Sequence, residues 1–353
     1  MKTTLKVPCP DCRQLRPINE KAVELSNIAL NRFRKNPLVS VVPKVDVSTL
    51  DVSVKSEHGR LREVVVSPPT YLDWDCGCPI NEKEKANAAK GIMPDRYIAV
   101  TEWTVFVQAL LRQDVKVIII EPQPHLLEAT YTRDPAVVID EKLIIGRMHA
   151  DIRKPETALY ANGGIQAPEG FNITLEGGNA VLGKDCVYLG VGDRTTLEGA
   201  LWLQEVLGTS REVIPLKLKK GVLHLDCVFE PYNTAPSHLL LDRKAFDNDG
   251  RFHLADLRNL QYSGWSHLFS FKGISEIAKR FKRQIAIQHS ERNRLVPNIL
   301  KVHPKLAFVH DLPGRIKRRF GYDMNVIHVP SGEVGKGDGS HRCSSMPLVR
   351  DDD

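Results

Sequence analysis

One unit recurs along this chain: two short apolar strands, a helix, then a third strand. In the clearest copy, residues 179–182 and 186–189 flank a Gly183-Lys184 turn, which is hairpin chemistry. A helix over about 196–207 follows, with Leu197, Leu201 and Leu203 on an incomplete apolar face and Gly208 to stop it. Val213-Ile214-Pro215-Leu216 reads as the third strand. The same order recurs at 136–161, with its hairpin about Asp140-Glu141 and a helix over 153–161. It recurs at 227–260, with strands at 227–229 and 238–241 and a helix over 254–260, and at 298–329, with a basic helix near Ile316. An early copy has a strand at 63–66, a helix over 97–112 and a strand at 115–119. It lacks one strand, which residues 344–349 would supply by closing back on it. Five such units with a closing strand imply an α/β ring, because closure removes exposed sheet edges. The expected organisation is a ring domain over 57–353 and an N-terminal extension over 1–56. The extension would hold an amphipathic helix over 20–34 and a Val/Pro-rich connector outside the repeat.

At 353 residues and 42% hydrophobic, the chain is long enough to bury a sizeable core. The net charge of +6 is spread along the whole chain, unlike the clustered excess of a nucleic-acid binder. The basic stretches 279–283 and 315–319 read as exposed faces of short helices. No apolar run approaches the ~18 residues that span a bilayer. Met1 leads into Val7-Pro8 and not into a hydrophobic signal core, so a cytoplasmic protein with reduced thiols is expected. Seven cysteines are too sparse, and odd in number, for a disulfide scaffold. Cys9, Cys12, Cys76 and Cys78 raise a four-thiol zinc site, but C-x-C is not a usual knuckle, and ordinary reduced thiols remain the reading.

The polar residues that carry chemistry stand just before the first strands of successive units. They are Asp134 in Thr132-Arg133-Asp134-Pro135, Glu176 in Glu176-Gly177-Gly178-Asn179, and His224 and Asp226 in His224-Leu225-Asp226-Cys227. Cys343 follows a glycine-rich loop before the closing strand. Singly, each has a structural explanation: a turn, a loop cap, a satisfied histidine, an inert thiol. Arranged around one axis, the equivalent ends meet. Carboxylates would then hold a cation while a thiolate attacks it.

These motifs, with Glu121-Pro122-Gln123-Pro124 and Tyr131 before them, resemble the guanidino-group-modifying superfamily of arginine deiminases, dimethylarginine dimethylaminohydrolases and amidinotransferases. The resemblance covers roughly residues 57–353 and implies the five-bladed α/β-propeller called the pentein fold. It implies Cys343 as nucleophile, His224 as general acid/base, Asp134 and Asp226 as the carboxylates gripping the guanidinium, and Glu176 as the acid orienting substrate and histidine. Arg153 and Arg194 match arginines that hold a substrate carboxylate, and Asn179 completes the expected substrate-binding set. Asn179 stands where the family often has Asp, Lys336 replaces an expected arginine, and the loop before Cys343 is longer than usual. The chain also lacks room between Pro124 and Thr132 for the helical insertion of typical arginine deiminases.

What the resemblance implies is hydrolysis of the guanidino group of arginine or an arginine derivative through a covalent amidino-cysteine. The alternative is an amidinotransferase, in which an amine captures the same intermediate. A non-catalytic binding module is disfavoured by the intact Cys343, His224 and Asp226. No metal and no cofactor are required. The expected partner is a small guanidine, with neither nucleic acid nor membrane, and homo-oligomerisation stays open.

Overall fold

The computed structural model describes residues 6–8, 15–74, 79–232, 238–258, 260–262, 272–320 and 324–351. Cys9, Cys12, Cys76 and Cys78, and with them the zinc question, lie outside that set. No described helix is long and apolar enough to cross a membrane.

Five small sheets carry the repeat. In three of them two antiparallel strands are followed by a third strand parallel to the second. These are Ala180–Leu182, Cys186–Val191 and Glu212–Lys217; Phe229–Pro231, His238–Leu241 and Arg283–Ala286; and Leu300–His303, Leu306–Val309 and Asn325–His328. A fourth pairs Ala136–Ile139 with Lys142–Ile145 about Asp140, which takes the left-handed φ of 55° that the tight turn needs, and adds Ile165–Gln166 in parallel. The fifth sheet contains the chain closure. Met346–Arg350 runs antiparallel to Leu61–Val66, which pairs in parallel with Lys116–Ile120. The missing strand of the first unit is therefore supplied by the C-terminus.

Helices form where caps and apolar spacing agree. Thr196 caps Leu197–Leu207 by accepting from the Gly199 amide, and Gly208 ends it at φ 60°. Asp95 caps Arg96–Leu111. Elsewhere the expectation is corrected. The helix expected over 153–161 is a run of 3-10 turns, Asp151–Leu159, because Pro155 removes an amide donor inside it. The helix expected over 254–260 is one turn, Leu254–Leu257, and Ile274–Ile277 instead leads into the third strand. The basic stretch 279–283 is a turn entering a strand, whereas 315–319 does lie on a helix, Gly314–Phe320, with Ile316 and Phe320 buried. Cys227 belongs to a turn, Leu225–Cys227, and not to the following strand.

The first residues of the chain are not all outside the repeat. Val39–Val42 adds a fourth strand to the first sheet, parallel to Lys116–Ile120, and Val45–Asp46 pairs with Tyr160–Ala161. Helix Glu20–Phe33 buries Ala22, Ser26, Ala29, Leu30 and Phe33 on one face, and Phe33 meets Trp103 edge-on at 5.9 Å between ring centroids. Burying side chains such as Leu30 and Phe33 contributes about 1.5–3 kcal/mol each. The connector is therefore part of the same packed body.

Candidate active site

The ends of the first strands meet as the repeat requires. Asp134 enters Ala136–Ile139, Glu176 enters the turn before Ala180–Leu182, His224 and Asp226 enter Phe229–Pro231, and Cys343 enters Met346–Arg350. All five residues are at most 2% exposed. Gly178 explains one glycine of the Glu-Gly-Gly motif. A Cβ there would sit 2.7 Å from both Asp134 Oδ1 and His224 Nδ1, so those two groups close on the backbone only because no side chain intervenes.

His224 is held from both sides. Its Nε2 lies 2.7 Å from Glu176 Oε2, and its Nδ1 faces Asp134 Oδ1 at 3.6 Å. Neither Nδ1 nor Oδ1 has a hydrogen-bond partner among the described residues, and both residues line a small cavity with Cys343. Glu176 also accepts from the His149 amide at 3.0 Å, which fixes the carboxylate that fixes the imidazole. Cys343 Sγ lies 3.8 Å from Asp226 Oδ2 and accepts from Asn298 Nδ2 at 3.0 Å. Asn298 Oδ1 in turn accepts from the Cys343 and Ser340 amides at 3.2 and 3.0 Å. One amide thus positions both the sulfur and its backbone.

The charges are poised for thiol chemistry. Hydrogen bonding with Cys227 lowers the Cys343 thiol below its ordinary value; burial and Asp226 oppose this, and contact with His224 assists it. Burial would depress His224, but Asp134, Cys343 and Glu176 outweigh it and hold the imidazole well above its usual range. Burial would raise Glu176, yet Arg194 and His224 hold it down at about 2. Each shift moves its group toward the charged form: the thiol down, the imidazole up and the carboxyl down.

Three residues expected to contact substrate already have internal partners. Asn179 does not line the cavity: its Nδ2 donates to Thr195 Oγ1 at 3.0 Å and its Oδ1 accepts from the Leu225 amide at 3.0 Å. It holds the His-Leu-Asp segment in place from behind. Arg153 lines the cavity, but its guanidinium is already engaged, with Asp134 Oδ2 at 2.7 Å, Glu156 at 2.7–3.1 Å and the Tyr131 carbonyl at 3.2 Å. It is the internal clamp on Asp134. Asp226 stands behind the sulfur, accepting from Arg342 Nε at 3.1 Å. Arg194 donates from Nη2 to the Ile80 carbonyl at 2.5 Å and brings Nη1 to 3.6 Å from Glu176. Its Nη1 has no hydrogen bond among the described residues, and it lines a neighbouring cavity of about 230 Å³ with His149 and Lys220.

The sequence motifs assign no site role to Asn298, Cys227, Glu128, Tyr131 or Arg342. Asn298 had a signal: it precedes the first strand of its unit, the same place as Asp134 and Asp226. Glu128 and Tyr131 line the reaction cavity, and Arg342 is buried beside Cys343 between Glu57 and Asp226. The reaction cavity holds only about 10 Å³, roughly one water, and is walled by Ile80, Asn81, Leu223 and Gly337–Gly339. Asp134, Glu176 and His224 place donor atoms within 4.8 Å of one another, as a metal site would. Arg153 and Arg194 already stand against two of these residues, Asp134 at 2.7 Å and Glu176 at 3.6 Å.

A buried thiol, a doubly held histidine and flanking carboxylates on a ββαβ repeat define the class of the guanidino-modifying enzymes. The arginine deiminase family model matches residues 107–350, more than half of the chain, and the chain belongs to that family. It is 28% identical over 319 residues to the uncharacterized protein YkgA of Bacillus subtilis (strain 168), covering 88% of this chain and 98% of that protein. It is 28% identical over 271 residues to the arginine deiminase of Borrelia duttonii (strain Ly), covering 67% of this chain and 63% of the deiminase. The chain thus spans less than two thirds of that relative's length. Among solved structures it resembles the N-terminal domain of ArgZ, an arginine dihydrolase from the ornithine-ammonia cycle in cyanobacteria. The TM-score is 0.66 at 18% identity, covering 82% of this chain and 98% of that one. It also resembles DDAH from Pseudomonas aeruginosa complexed with citrulline, with a TM-score of 0.58 at 19% identity, covering 82% and 99%. At these identities the likeness is one of fold, the pentein fold.

Proposed function

We propose that this protein hydrolyses the guanidino group of arginine or an arginine derivative through a covalent intermediate on Cys343, at the centre of five units closed into a propeller. The observation that carries the reading is the buried Cys343 beside His224, with the unpartnered Asp134 Oδ1 in the same cavity. The closing pairing of Met346–Arg350 with Leu61–Val66 supports the ring.

Asp134 Oδ1 would take one edge of the guanidinium, and Asp226, beside the sulfur, would bracket the central carbon. Cys343 Sγ forms a bond to that carbon. The C–N bond to a terminal nitrogen breaks, and His224 gives its proton to the departing ammonia. The neutral imidazole then takes a proton from water, which attacks the same carbon. The C–S bond breaks, the thiolate returns and a urea product leaves. Glu176, at 2.7 Å, keeps the imidazole oriented through both halves. The α-carboxylate would run toward Arg194, whose cavity shares Ile80, Asn81 and Leu223 with the reaction cavity. The walls between the two must shift to admit an arginine-sized molecule.

The test is ammonia and citrulline release across arginine, methylated arginines, agmatine, and glycine with arginine. Ammonia from a guanidine without an added amine supports hydrolysis. Turnover only with an amine acceptor would replace it with amidino transfer. Inertness toward every guanidine would overturn both.

A further inference from the structure

Two thiols share one carboxylate at the reaction site. Cys227 Sγ lies 3.5 Å from Asp226 Oδ1, and Cys343 Sγ lies 3.8 Å from Asp226 Oδ2. The thiols also hydrogen-bond with each other. That contact lowers Cys343 and raises Cys227, so within it Cys227 donates and the Cys343 sulfur accepts. Both backbones are fixed. The Cys227 amide donates to the His224 carbonyl at 3.3 Å inside the turn Leu225–Cys227, and the Cys343 amide donates to Asn298 Oδ1 at 3.2 Å. Cys186, the third described cysteine, hydrogen-bonds with Tyr188 instead.

The two sulfurs are reached from different sides. Cys343 lines the reaction cavity, whereas Cys227 lines a neighbouring cavity of about 400 Å³ with Lys83, His289 and Arg292. Leu223 and Asp338 belong to both cavities. Hydrogen peroxide is only two oxygens long, so it needs far less movement of these walls than an arginine-sized molecule does. A nucleophilic thiol with a second thiol against it is the arrangement in which oxidation stops at a disulfide and does not run on to the irreversible acids. We propose that Cys227 and Cys343 form an oxidation site, at which a hydroperoxide converts the pair reversibly into a disulfide.

In the first step the Cys343 thiolate attacks one peroxide oxygen. An S–O bond forms, the O–O bond breaks, and the departing hydroxide takes a proton from His224 and leaves as water. Cys343 is then a sulfenic acid and no longer accepts the hydrogen bond that holds the proton on Cys227. Cys227 gives that proton to Asp226, 3.5 Å away, and attacks the Cys343 sulfur. The S–S bond forms, the S–O bond breaks, and the hydroxide leaves as a second water. Each sulfur has lost one electron and the peroxide has been reduced to two waters.

Peroxide treatment of the full chain, followed by alkylation and non-reducing peptide mass spectrometry, tests it. In the wild type the peptides holding Cys227 and Cys343 should appear joined, lighter than their sum by two hydrogens. Iodoacetamide labelling of Cys343 should fall by about tenfold or more, and dithiothreitol should restore it. Cys227→Ser keeps a hydrogen-bond donor beside the Cys343 sulfur but cannot form the crosslink. There Cys343 should gain two oxygens as the sulfinic acid, and dithiothreitol should not bring the labelling back. Wild-type Cys343 that goes to the sulfinic acid with no joined peptide overturns the proposal. So does Cys343 joined to any cysteine other than Cys227, labelling that peroxide leaves unchanged, or recovery in Cys227→Ser equal to the wild type. None of these readouts uses guanidine turnover: a missing crosslink leaves the proposed hydrolysis standing, and inertness toward guanidines leaves the crosslink standing.

Discussion

Glu176→Gln should pull the alkaline limb of activity toward neutral pH. The substitution keeps the size of the side chain and an oxygen near His224 Nε2, now 2.7 Å away, but removes the negative charge. A hydrogen bond to a charged group contributes about 1.5–3 kcal/mol and a neutral one about 0.5–1.5. The loss of about 1–1.5 kcal/mol corresponds to about one pKa unit at 1.36 kcal/mol per unit. His224 is a group raised well above 6.5, so its stabilisation is complete below that value and is lost as pH rises through the raised one. In the variant that loss comes about one unit earlier. The descending limb of kcat/KM for citrulline formation reports it, because the proposed acid must be protonated to release ammonia. A substrate-free readout is the pH dependence of iodoacetamide alkylation at Cys343, since the imidazolium sustains the thiolate. A descending limb that stays in place would refute the assignment of His224 as the acid and Glu176 as its support.

Cys343→Ala should abolish turnover with the fold intact, and mass spectrometry of acid-quenched wild type should show the adduct on Cys343; an active variant sinks the mechanism. Gly178→Ala puts a Cβ 2.7 Å from Asp134 Oδ1 and His224 Nδ1, so kcat/KM should fall by about 10² as those groups separate. Arginine should be turned over far better than agmatine, which lacks the carboxylate, and Arg194→Ala should narrow the gap by about 30–150-fold, for about 2–3 kcal/mol lost. Equal rates on both compounds in the wild type would remove Arg194 from the site. Lys301→Met leaves Glu230, which its ammonium contacts in the interior, as an unpaired buried charge, and urea denaturation should show a loss of about 3–5 kcal/mol. A loss under about 1 kcal/mol would mean that water or Arg342 compensates.

Strand periodicity made the repeat legible, because Val, Ile and Leu runs buried on both faces have few alternatives at that length. Unit boundaries were less so. The helix expected from Arg153 yields to Pro155, and 227–229 yields one residue pair to a turn that places Asp226 and Cys227 against Cys343. The place of the connector at 39–46 is not legible in sequence, because a short Val-rich strand on a sheet edge has no period of its own and its partners, Lys116–Ile120 and Tyr160–Ala161, are far away along the chain.

The site shows the same divide between placement and engagement. That Asp134, Glu176, His224, Asp226 and Cys343 converge follows from their equivalent positions, and the same rule extended to every unit reaches Asn298. What those positions cannot specify is which charges satisfy one another internally. Arg153 is a suitable carboxylate ligand by type, yet Asp134 and Glu156 stand within 2.7 Å of it, so a substrate carboxylate would have to displace buried partners whose own burial is costly. Arg194 keeps Nη1 without a hydrogen bond among the described residues, 3.6 Å from Glu176, and lines a second cavity, which is why the proposed substrate's anionic end is placed there. The engagement of Arg153 also leaves Asp134 with one oxygen held and one oxygen unbonded beside His224. In the proposed reaction, a carboxylate anchored on one side in this way would meet the guanidinium already oriented, which is preorganisation for a cationic substrate.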